Sequence, residues 1–443
     1  MKINNILKDK VKKLKLSAGF KKYFTNTGWL FFERIIGMAV TFFVGVYVAR
    51  YLGPANFGLL NYAGSFVGLF SAIATLGLDS ILVRELVKDE KKRDELLGTT
   101  FVLKIIGSIL VLIIIFIALR FTNNDNFTNL LIFIIAIGII FQSFNVINFY
   151  FQAKITSKYT VYVQVFSIIL CAVIKLMLIY FNMGLIYFAM VILLQSTILA
   201  SGLVVMYIKQ KSNLFKWRIK FDLAKRLLNN SWPLILSGIA ISIYMQIDQV
   251  MIKNILNTEA VGNYAIAIRL TEVWYFIPMV ITNSLFPAII NAKNISEKLY
   301  HERLQKLYDL MVWLSIGIAL PMSLLANNLI KLLFGIQYQY AASVLKIYIW
   351  ASVFVFLGVA TGKYLIAENY MKISFLRTFI GAIINIVLNI ILIPKLGING
   401  AAIATVFSQF AVTFSIILIP KTRYSFLLML KSFSLIGCIK RIW

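Results

Sequence analysis

Long apolar runs separated by short polar connections dominate the chain. A helix that crosses the hydrocarbon core of a bilayer needs about 20 mostly apolar residues, so these runs predict membrane-spanning helices. They are solidly apolar and lack the period-two alternation of membrane barrel strands, which argues against a closed barrel. Twelve segments qualify: Gly28–Ala49, Leu60–Val83, Leu96–Leu119, Phe127–Phe151, Tyr159–Phe181, Gly184–Ile208, Trp232–Leu256, Val261–Ile290, Leu310–Phe334, Tyr340–Ala367, Ile373–Pro394 and Ile398–Ile419.

The composition agrees with an all-α, polytopic membrane protein. Of the 443 residues, 60% are hydrophobic and 14% charged, whereas soluble domains are less apolar and more highly charged. The two cysteines, Cys171 and Cys438, exclude a disulfide-stapled secreted module. A single histidine, His301, leaves little material for a metal site, and we predict none.

The distribution of the basic residues predicts the orientation. The formal charge is +27, and 32 of the 44 Lys and Arg residues lie in connections on the side of the N-terminus, against five on the opposite side. Cytoplasmic loops carry such an excess, so both termini are expected in the cytoplasm. The charge is thereby explained by orientation and by attraction to anionic lipid headgroups, and we expect no nucleic-acid partner.

Two landmarks recur along the chain and predict an internal repeat. Gly58, after the first span, matches Gly262, after the seventh, and the Gly184 region matches the Gly397 region at a similar offset. Two sets of six spans would be parallel repeats, the plan of transporters that hold substrate between their halves. We therefore predict two pseudo-symmetric six-helix bundles around a central cavity, with these divisions: a basic arm 1–27, an N-terminal bundle 28–208, a linker 209–231, a C-terminal bundle 232–419 and an interfacial tail 420–443.

One inner connection predicts an amphipathic helix. Ser296 is a suitable N-cap, and Leu299, Leu304, Leu307 and Met311 fall on one face of the helix that follows it.

Ionisable residues inside the spans are the candidate site, because each costs about 2.5–3.5 kcal/mol on insertion scales. For the cations, we predict a contact of Arg34 with Asp79 or Glu33, and Lys104 has no acidic partner nearby in sequence. We predict that Asp248 on the seventh span forms one buried cluster with Arg269 and Glu272 on the eighth. The candidate cations that meet an anionic substrate are Arg34, Lys104, Arg269, Lys175, Lys346 and Arg377, and the candidate ion-coupling carboxylates are Asp248, Glu272, Asp79 and Glu33.

A purely structural interpretation stays open for each of these groups, namely a fixed ion pair that sets helix register. Lys175, Lys346 and Arg377 lie near span ends, where a long side chain can reach the interface instead of a lumen. Asn385 and Asn389 form an i, i+4 pair for which interhelical hydrogen bonding is the favoured account.

Several sequence blocks resemble the polysaccharide-flippase branch of the multidrug/oligosaccharidyl-lipid/polysaccharide exporter superfamily, and Wzx-type O-antigen and capsule repeat-unit flippases above all. The most specific block is Ala49-Arg-Tyr-Leu-Gly-Pro54. The resemblance covers nearly the whole chain, in Trp29–Arg34, Gly45–Gly58, Gly77–Leu86, Gln246–Met251, Gly262–Ala265, Glu272–Pro278, Asn385–Asn389 and Pro394–Ala404.

This resemblance implies a transporter without catalytic residues or a bound cofactor. Its cargo would be an undecaprenyl-diphosphate-linked repeat unit, moved from the cytoplasmic to the outer leaflet of a bacterial inner membrane during O-antigen, capsule or lipopolysaccharide synthesis. It further implies membrane lipids and polysaccharide polymerase or assembly proteins as partners, with proton or sodium coupling. The alternatives are a cation-coupled multidrug exporter of the same fold, which would need an acidic cavity, and a membrane-embedded glycan polymerase, which would need a larger outer loop.

Overall fold

A computed structural model describes residues 18–368 and 370–434, with side chains from Thr25 onward except at Met371. Within these residues the chain forms α-helices joined by short turns and 3-10 turns, and no strand. The helices are α1 Ala18–Leu69, α2 Ser71–Thr75, α3 Asp79–Lys88, α4 Arg93–Leu119, α5 Asn126–Phe141, α6 Asn145–Ala153, α7 Lys158–Tyr180, α8 Leu185–Lys209, α9 Phe221–Ile255, α10 Thr258–Glu272, α11 Phe276–Ile295, α12 Glu297–Leu324, α13 Ala326–Phe334, α14 Gln339–Tyr348, α15 Ala351–Ala367, α16 Met371–Leu396, α17 Ile398–Phe414 and α18 Arg423–Lys431.

The twelve predicted segments all fall on these helices. By length and composition, ten helices of the described chain can cross a membrane, or up to eleven if the bent pair Ile336–Tyr348 and Ala351–Ala367 is one span. This count takes Thr25–Leu69 as one element, although the helix breaks inside it. The predicted all-α, multi-pass class is therefore correct, while several predicted spans are built from more than one helix.

The predicted second span, Leu60–Val83, is broken rather than continuous. Ahead of this span, Gly53 (φ 71°, ψ 170°) interrupts α1, and Pro54 follows the break. Leu76 and Gly77 both have positive φ and separate α2 from α3. Hydropathy could not detect the break at Leu76 and Gly77, because the residues of this turn are themselves apolar.

Contacts divide the described chain into two compact units. The N-unit comprises Met1–Gly45, Ala72–Leu119 and Phe133–Ile235, and the C-unit comprises Val46–Ser71, Arg120–Ile132 and Leu236–Trp443, as far as these ranges are described. Segments 46–71 and 120–132 of the predicted N-terminal bundle thus pack with the C-terminal half of the sequence. The boundary that we predict at 209–231 stays a prediction.

The N-unit has a core of aliphatic and aromatic side chains from α3, α4, α6, α8 and α9. Leu82, Leu97, Val146, Ile147 and Tyr207 are fully buried there. Trp217, after α8, donates from Nε1 to the Tyr207 hydroxyl at 3.1 Å. The basic segment after α8 is in this way tied to the core.

The C-unit core includes α12, whose predicted features are confirmed. Ser296 caps the helix by accepting a hydrogen bond from the Leu299 N–H at 3.1 Å. Leu304, Leu307 and Met311 are buried, and Leu299 is partly buried against them. The cap and the apolar stripe were readable in the sequence because both depend on residues within a few helical turns.

Three polar contacts fix the last described helix, α18, on α12. Gln305 donates from Nε2 to the Leu428 carbonyl at 3.0 Å, and Trp313 donates from Nε1 to the Ser432 carbonyl at 3.0 Å. The Tyr308 hydroxyl lies 2.8 Å from the Ser425 Oγ. In the predicted interfacial tail 420–443, the structure contains α18. Residues 435–443 of the tail and residues 1–17 of the basic arm lie outside the described range.

Gly58 and Gly262, the two glycines matched by the repeat, allow two helices of the C-unit to touch. A Cβ on Gly58 would lie 1.8 Å from the Thr258 carbonyl oxygen, and a Cβ on Gly262 would lie 2.1 Å from the Pro54 carbonyl oxygen. Each glycine therefore contacts the backbone of the other's helix, and no side chain fits at either position. Small residues permit such close backbone approach between membrane helices.

We predict that Gly58→Ala destabilises the protein by about 1–3 kcal/mol or more, because the added methyl group overlaps backbone that cannot rotate away. The measurement is the thermal unfolding midpoint of the purified protein in detergent. The control is Gly64→Ala on the same helix, where an added Cβ meets nothing within 4 Å. Equal midpoints for the two variants would contradict the close crossing.

Candidate functional site

The ten candidate site residues divide between the two units. Glu33, Arg34, Asp79, Lys104 and Lys175 belong to the N-unit. The other five belong to the C-unit: Asp248, Arg269, Glu272, Lys346 and Arg377. Each set has its own local geometry.

Lys104 is not the unpaired cation that the sequence suggested. It is buried on α4, and its Nζ forms a salt bridge with Asp79 Oδ1. The same ammonium lies 4.8 Å from the centroid of the Phe149 ring. Asp79 is the first residue of α3, directly after the turn at Leu76 and Gly77, and that turn aims it at α4. The partner was missed because it stands 25 positions earlier, beyond the reach of helical spacing.

Of the two contacts predicted for Arg34, the one with Asp79 does not form, because Asp79 pairs with Lys104. Arg34 has an exposed side chain and forms no salt bridge in the described part of the chain. Its neighbour Glu33 is half-buried, and it interacts electrostatically with Arg34. With its amide nitrogen turned toward the carboxylate, Gln164 donates to Glu33 Oε2 at 2.8 Å.

Asp248 is the centre of a buried polar cluster in the C-unit, and it is 5% exposed. The Tyr264 hydroxyl and the Thr405 hydroxyl each donate to Asp248 Oδ2 at 2.6 Å. Asn389 donates from Nδ2 to Asp248 Oδ1 at 2.6 Å, and to Asn385 Oδ1 at 3.1 Å. The carboxylate is thus surrounded by neutral donors, and within residues 18–368 and 370–434 it has no salt-bridge partner.

The interhelical role predicted for the asparagine pair is confirmed, since Asn389 on α16 bonds to Asp248 on α9. Tyr264 and Thr405 are functional candidates that the sequence analysis did not select. Tyr264 stands in the Gly262–Ala265 block, and Thr405 follows the block Pro394–Ala404 by one residue. Their place in or beside these sequence blocks was the only available indication of a role. It was not sufficient, because hydroxyl residues are common in apolar helices.

The cluster predicted for Asp248, Arg269 and Glu272 does not form as expected. Glu272 is exposed, and the described residues contain no hydrogen bond or salt bridge that joins these three side chains. Arg269 instead lies over the Phe57 ring, with Cζ 5.2 Å from its centroid. The helix places Arg269 and Glu272 one turn apart, where they interact electrostatically without direct contact.

Arg377 is the half-buried cation of the C-unit with unmet hydrogen-bonding capacity. Its Nη2 donates to the Gly358 carbonyl at 3.2 Å. Its Nε and Nη1 are buried and have no hydrogen-bond partner, and no acidic side chain pairs with it among the described residues. A guanidinium in this state has free donors in a planar fork, which is the geometry that suits phosphate.

The remaining two cations lie in different surroundings. Lys346 on α14 is exposed, and Lys175 on α7 is half-buried one turn after the buried Cys171. Within the described residues, no group of three or more His, Cys, Asp or Glu side chains could hold a metal ion.

A third polar group lies at the ends of α1, α5 and α9 in the C-unit. Lys253 donates to Asn124 Oδ1 and lies 5.1 Å from the centroid of the Tyr62 ring. The Tyr62 hydroxyl donates to the same Asn124 oxygen at 3.2 Å. Asp125, in the connection before α5, accepts hydrogen bonds from Thr128, which hold the pKa of that carboxyl below its usual value. These contacts tie segment 120–132 to its unit.

Two family models match the chain. The model described as "Polysaccharide biosynthesis protein" matches residues 24–293, and the MatE model matches residues 233–391.

Three relatives cover different shares of the chain. An uncharacterized membrane protein of Methanocaldococcus jannaschii is 24% identical over 424 residues, 88% of this chain and 82% of that protein. The capsular polysaccharide biosynthesis protein CapF of Staphylococcus aureus is 20% identical, over 88% of this chain and 97% of that protein. The probable low-salt glycan biosynthesis flippase Agl15 of Haloferax volcanii is 26% identical, over 42% of this chain and 40% of that protein.

Solved structures share the fold. The lipid II flippase MurJ in an inward closed conformation gives a TM-score of 0.71 at 16% identity, over 93% of this chain and 91% of that one. An inward-facing multidrug resistance MATE family transporter gives a TM-score of 0.75 at 16% identity, over 88% of this chain and 95% of that one. These likenesses confirm the predicted helical transporter fold.

We predict that Asp79→Asn lowers stability more than the double variant Asp79→Asn with Lys104→Met. The single change leaves a buried ammonium without its counterion, a situation that costs about 3–5 kcal/mol in fully buried pairs and less here, since the Asp79 side chain is 43% exposed. Unfolding midpoints of the wild type, both single variants and the double variant give the coupling energy. Additive effects of the two single changes would contradict the pairing.

Proposed function

Because the chain belongs to the family of polysaccharide biosynthesis proteins, we propose that it is a flippase for an undecaprenyl-diphosphate-linked oligosaccharide repeat unit. It acts as a transporter rather than as an enzyme, by alternating access, and carries its cargo from the cytoplasmic to the outer leaflet. The observation that carries the proposal is the family match over residues 24–293 of a chain with a multi-pass transporter fold. The names of two relatives, a glycan biosynthesis flippase and a capsular polysaccharide biosynthesis protein, support it.

The membrane is the cytoplasmic membrane of a bacterium, with both termini on the cytoplasmic side. The excess of Lys and Arg in the connections on the N-terminal side supports this orientation. The glycan is the repeat unit of an O-antigen, a capsule or another surface polysaccharide, and polymerase or assembly proteins receive it on the outer side.

Arg377 is the residue that we assign to the diphosphate of the cargo. A diphosphate needs fixed cations to enter a protein interior, because an uncompensated anion is costly in a medium of low dielectric constant. The free Nε and Nη1 donors of Arg377 supply such a contact without the need to break a salt bridge. Arg34 and Arg269 also lack salt bridges in the described chain and are secondary candidates, with Lys175 and Lys346. Lys104 is a weaker candidate for the diphosphate contact, because its charge is already neutralised by Asp79.

Asp248 is the residue that we assign to the coupling ion, a proton or Na⁺. A buried carboxylate with neutral partners gains much from binding a cation, because the bound charge removes the cost of its desolvation. Asn389 Oδ1, on the side chain that bonds Asp248, is buried without a hydrogen-bond partner. Carboxylate, amide and hydroxyl oxygens are ligands that hard cations prefer. Glu272, Asp79 and Glu33 remain weaker candidates, since Glu272 is exposed and Asp79 pairs with Lys104.

A cation-coupled multidrug exporter is the second candidate function. The MatE match over residues 233–391 favours it, and this range contains the Asp248 cluster. The two functions differ in the charge of the cargo, since an exporter of cationic drugs would have no use for the unpaired Arg377.

We predict that deletion of the gene makes a lipid-linked glycan accumulate on the inner leaflet. Export returns with the wild-type protein and falls at least about tenfold with Arg377→Ala, because a factor of ten corresponds to only about 1.4 kcal/mol of lost binding. Arg377→Lys should retain part of the activity through its charge. The measurement is the amount of glycan at the cell surface per unit of protein in the membrane.

The matched control is Lys395→Gln, which removes an exposed cation of the same unit and should export normally. A deletion strain without accumulated lipid-linked glycan, but with raised sensitivity to cationic drugs, would support the exporter instead. Full export with Arg377→Ala would reject only the assignment of the diphosphate contact.

We predict that Asp248→Asn removes the dependence of export on an ion gradient, because the amide has no charge for a cation to neutralise. Export is measured in cells or vesicles with an imposed proton gradient and, separately, with an imposed sodium gradient. Glu259→Gln, which neutralises an exposed carboxylate on the neighbouring helix, is the control and should keep the response. A normal gradient response in Asp248→Asn would contradict the assignment.

A further inference from the structure

A cavity of about 660 Å³ lies in the C-unit where α18 packs beside the first turns of α12. Its volume falls in the range of small-molecule sites, about 300–1,000 Å³. Its lining comes from both helices and includes Lys298, His301, Glu302 and Lys306 from α12 with Tyr424 and Lys431 from α18. None of these residues belongs to the candidate transport site.

The cavity carries a surplus of positive charge. Three lysines, Lys298, Lys306 and Lys431, line it, against the single carboxylate of Glu302. Lys298 and Lys306 form no salt bridge within the described residues. Like charges around one concavity repel one another, so an anion that enters the cavity stabilises the arrangement.

His301 adds an unsatisfied nitrogen to this surface. Its Nε2 lies 3.4 Å from a Glu297 oxygen, and its ring centroid lies 4.3 Å from that of Tyr424. The Nδ1 atom is buried and has no hydrogen-bond partner. An imidazole nitrogen that carries a hydrogen can donate to an anion in the cavity.

The frame of the cavity is rigid. Gln305, Tyr308 and Trp313 of α12 each make a polar contact with α18 or the residue after it. Leu428 and Met429 of α18 are buried in the core of the unit. The lysines therefore project from two helices whose spacing is fixed, which reduces the entropic cost of binding.

The opposite face of α18 lines a groove of about 600 Å³ whose lining residues are apolar apart from Ser415. Phe426 and Leu430 contribute from α18, one helical turn apart, and Phe433 contributes from the turn after it. The other wall includes Phe354, Phe410 and Phe414. A helix with a cationic cavity along one face and an apolar groove along the other matches the two parts of a membrane lipid. The predicted orientation places the start of α12 on the cytoplasmic side, where anionic lipids attract basic segments.

We propose that this cavity is a binding site for the phosphate of an anionic phospholipid. Lys298, Lys306, Lys431 and His301 contact the headgroup, and the acyl chains lie along the apolar face of α18. The lining contains none of the candidate transport residues, and the proposal does not depend on the proposed function.

The test is a titration of the purified full-length protein in neutral detergent with phosphatidylglycerol, phosphatidylcholine or soluble glycerol phosphate. Bound ligand is measured by native mass spectrometry, with the unfolding midpoint as a second readout. Phosphatidylglycerol should bind and raise the midpoint, while phosphatidylcholine should bind at least about tenfold more weakly. The triple variant Lys298→Gln, Lys306→Gln, Lys431→Gln should weaken phosphatidylglycerol binding at least about tenfold, since each basic residue contributes to the attraction.

The matched control is Lys421→Gln, an exposed lysine just before α18 that does not line the cavity, and it should bind normally. The triple Lys→Arg variant should also bind, which separates loss of charge from misfolding. Unchanged binding to the folded triple Gln variant would overturn the proposal. Binding of glycerol phosphate as tight as that of phosphatidylglycerol, with the same dependence on the lysines, would overturn the lipid assignment in favour of a soluble phosphate ligand.

Discussion

The cost of leaving a charged or polar group unsatisfied inside an apolar helix bundle is the constraint on which the rest of this structure depends. In hydrocarbon no water is available, so each such group must find a partner within the protein. Lys104 meets this requirement with Asp79 and the Phe149 ring, and Asp248 meets it with hydroxyl and amide donors. The positions of the helices around these groups follow from the need to complete both sets of contacts.

The two units meet the constraint in different ways, and the difference has functional meaning. In the N-unit a cation is matched by a carboxylate, and the pair is neutral as it stands. In the C-unit a carboxylate has neutral partners, while Arg377 has a carbonyl as its described partner. Those two groups retain charge that nothing in the described chain cancels. A neutral pair suits a structural role, whereas uncancelled charge in a dry environment is typical of sites that bind ions and ligands.

The sequence predicted those features that depend on local pattern, and it missed those that depend on which helices become neighbours. Apolar runs predicted the spans, and Ser296 predicted the start of α12. The i, i+4 spacing of Asn385 and Asn389 indicated that both lie on one face of a helix. The partner of Lys104 and the hydroxyl of Thr405, 157 positions from Asp248, could not be chosen by spacing. The break at Leu76 and Gly77 could not be seen in the hydropathy, because no polar residue marks the turn.

The attachment of α18 has a consequence for biosynthesis of the protein. Gln305, Tyr308 and Trp313 bond to residues that follow them by 123, 117 and 119 positions. A ribosome must therefore make more than a hundred further residues before these side chains can be satisfied, and large proteins fold progressively as they emerge. Until α18 has been made, the Trp313 indole, the Tyr308 phenol and the Gln305 amide lack these partners. The C-unit is thus completed late, because α18 must be made before these three contacts can form.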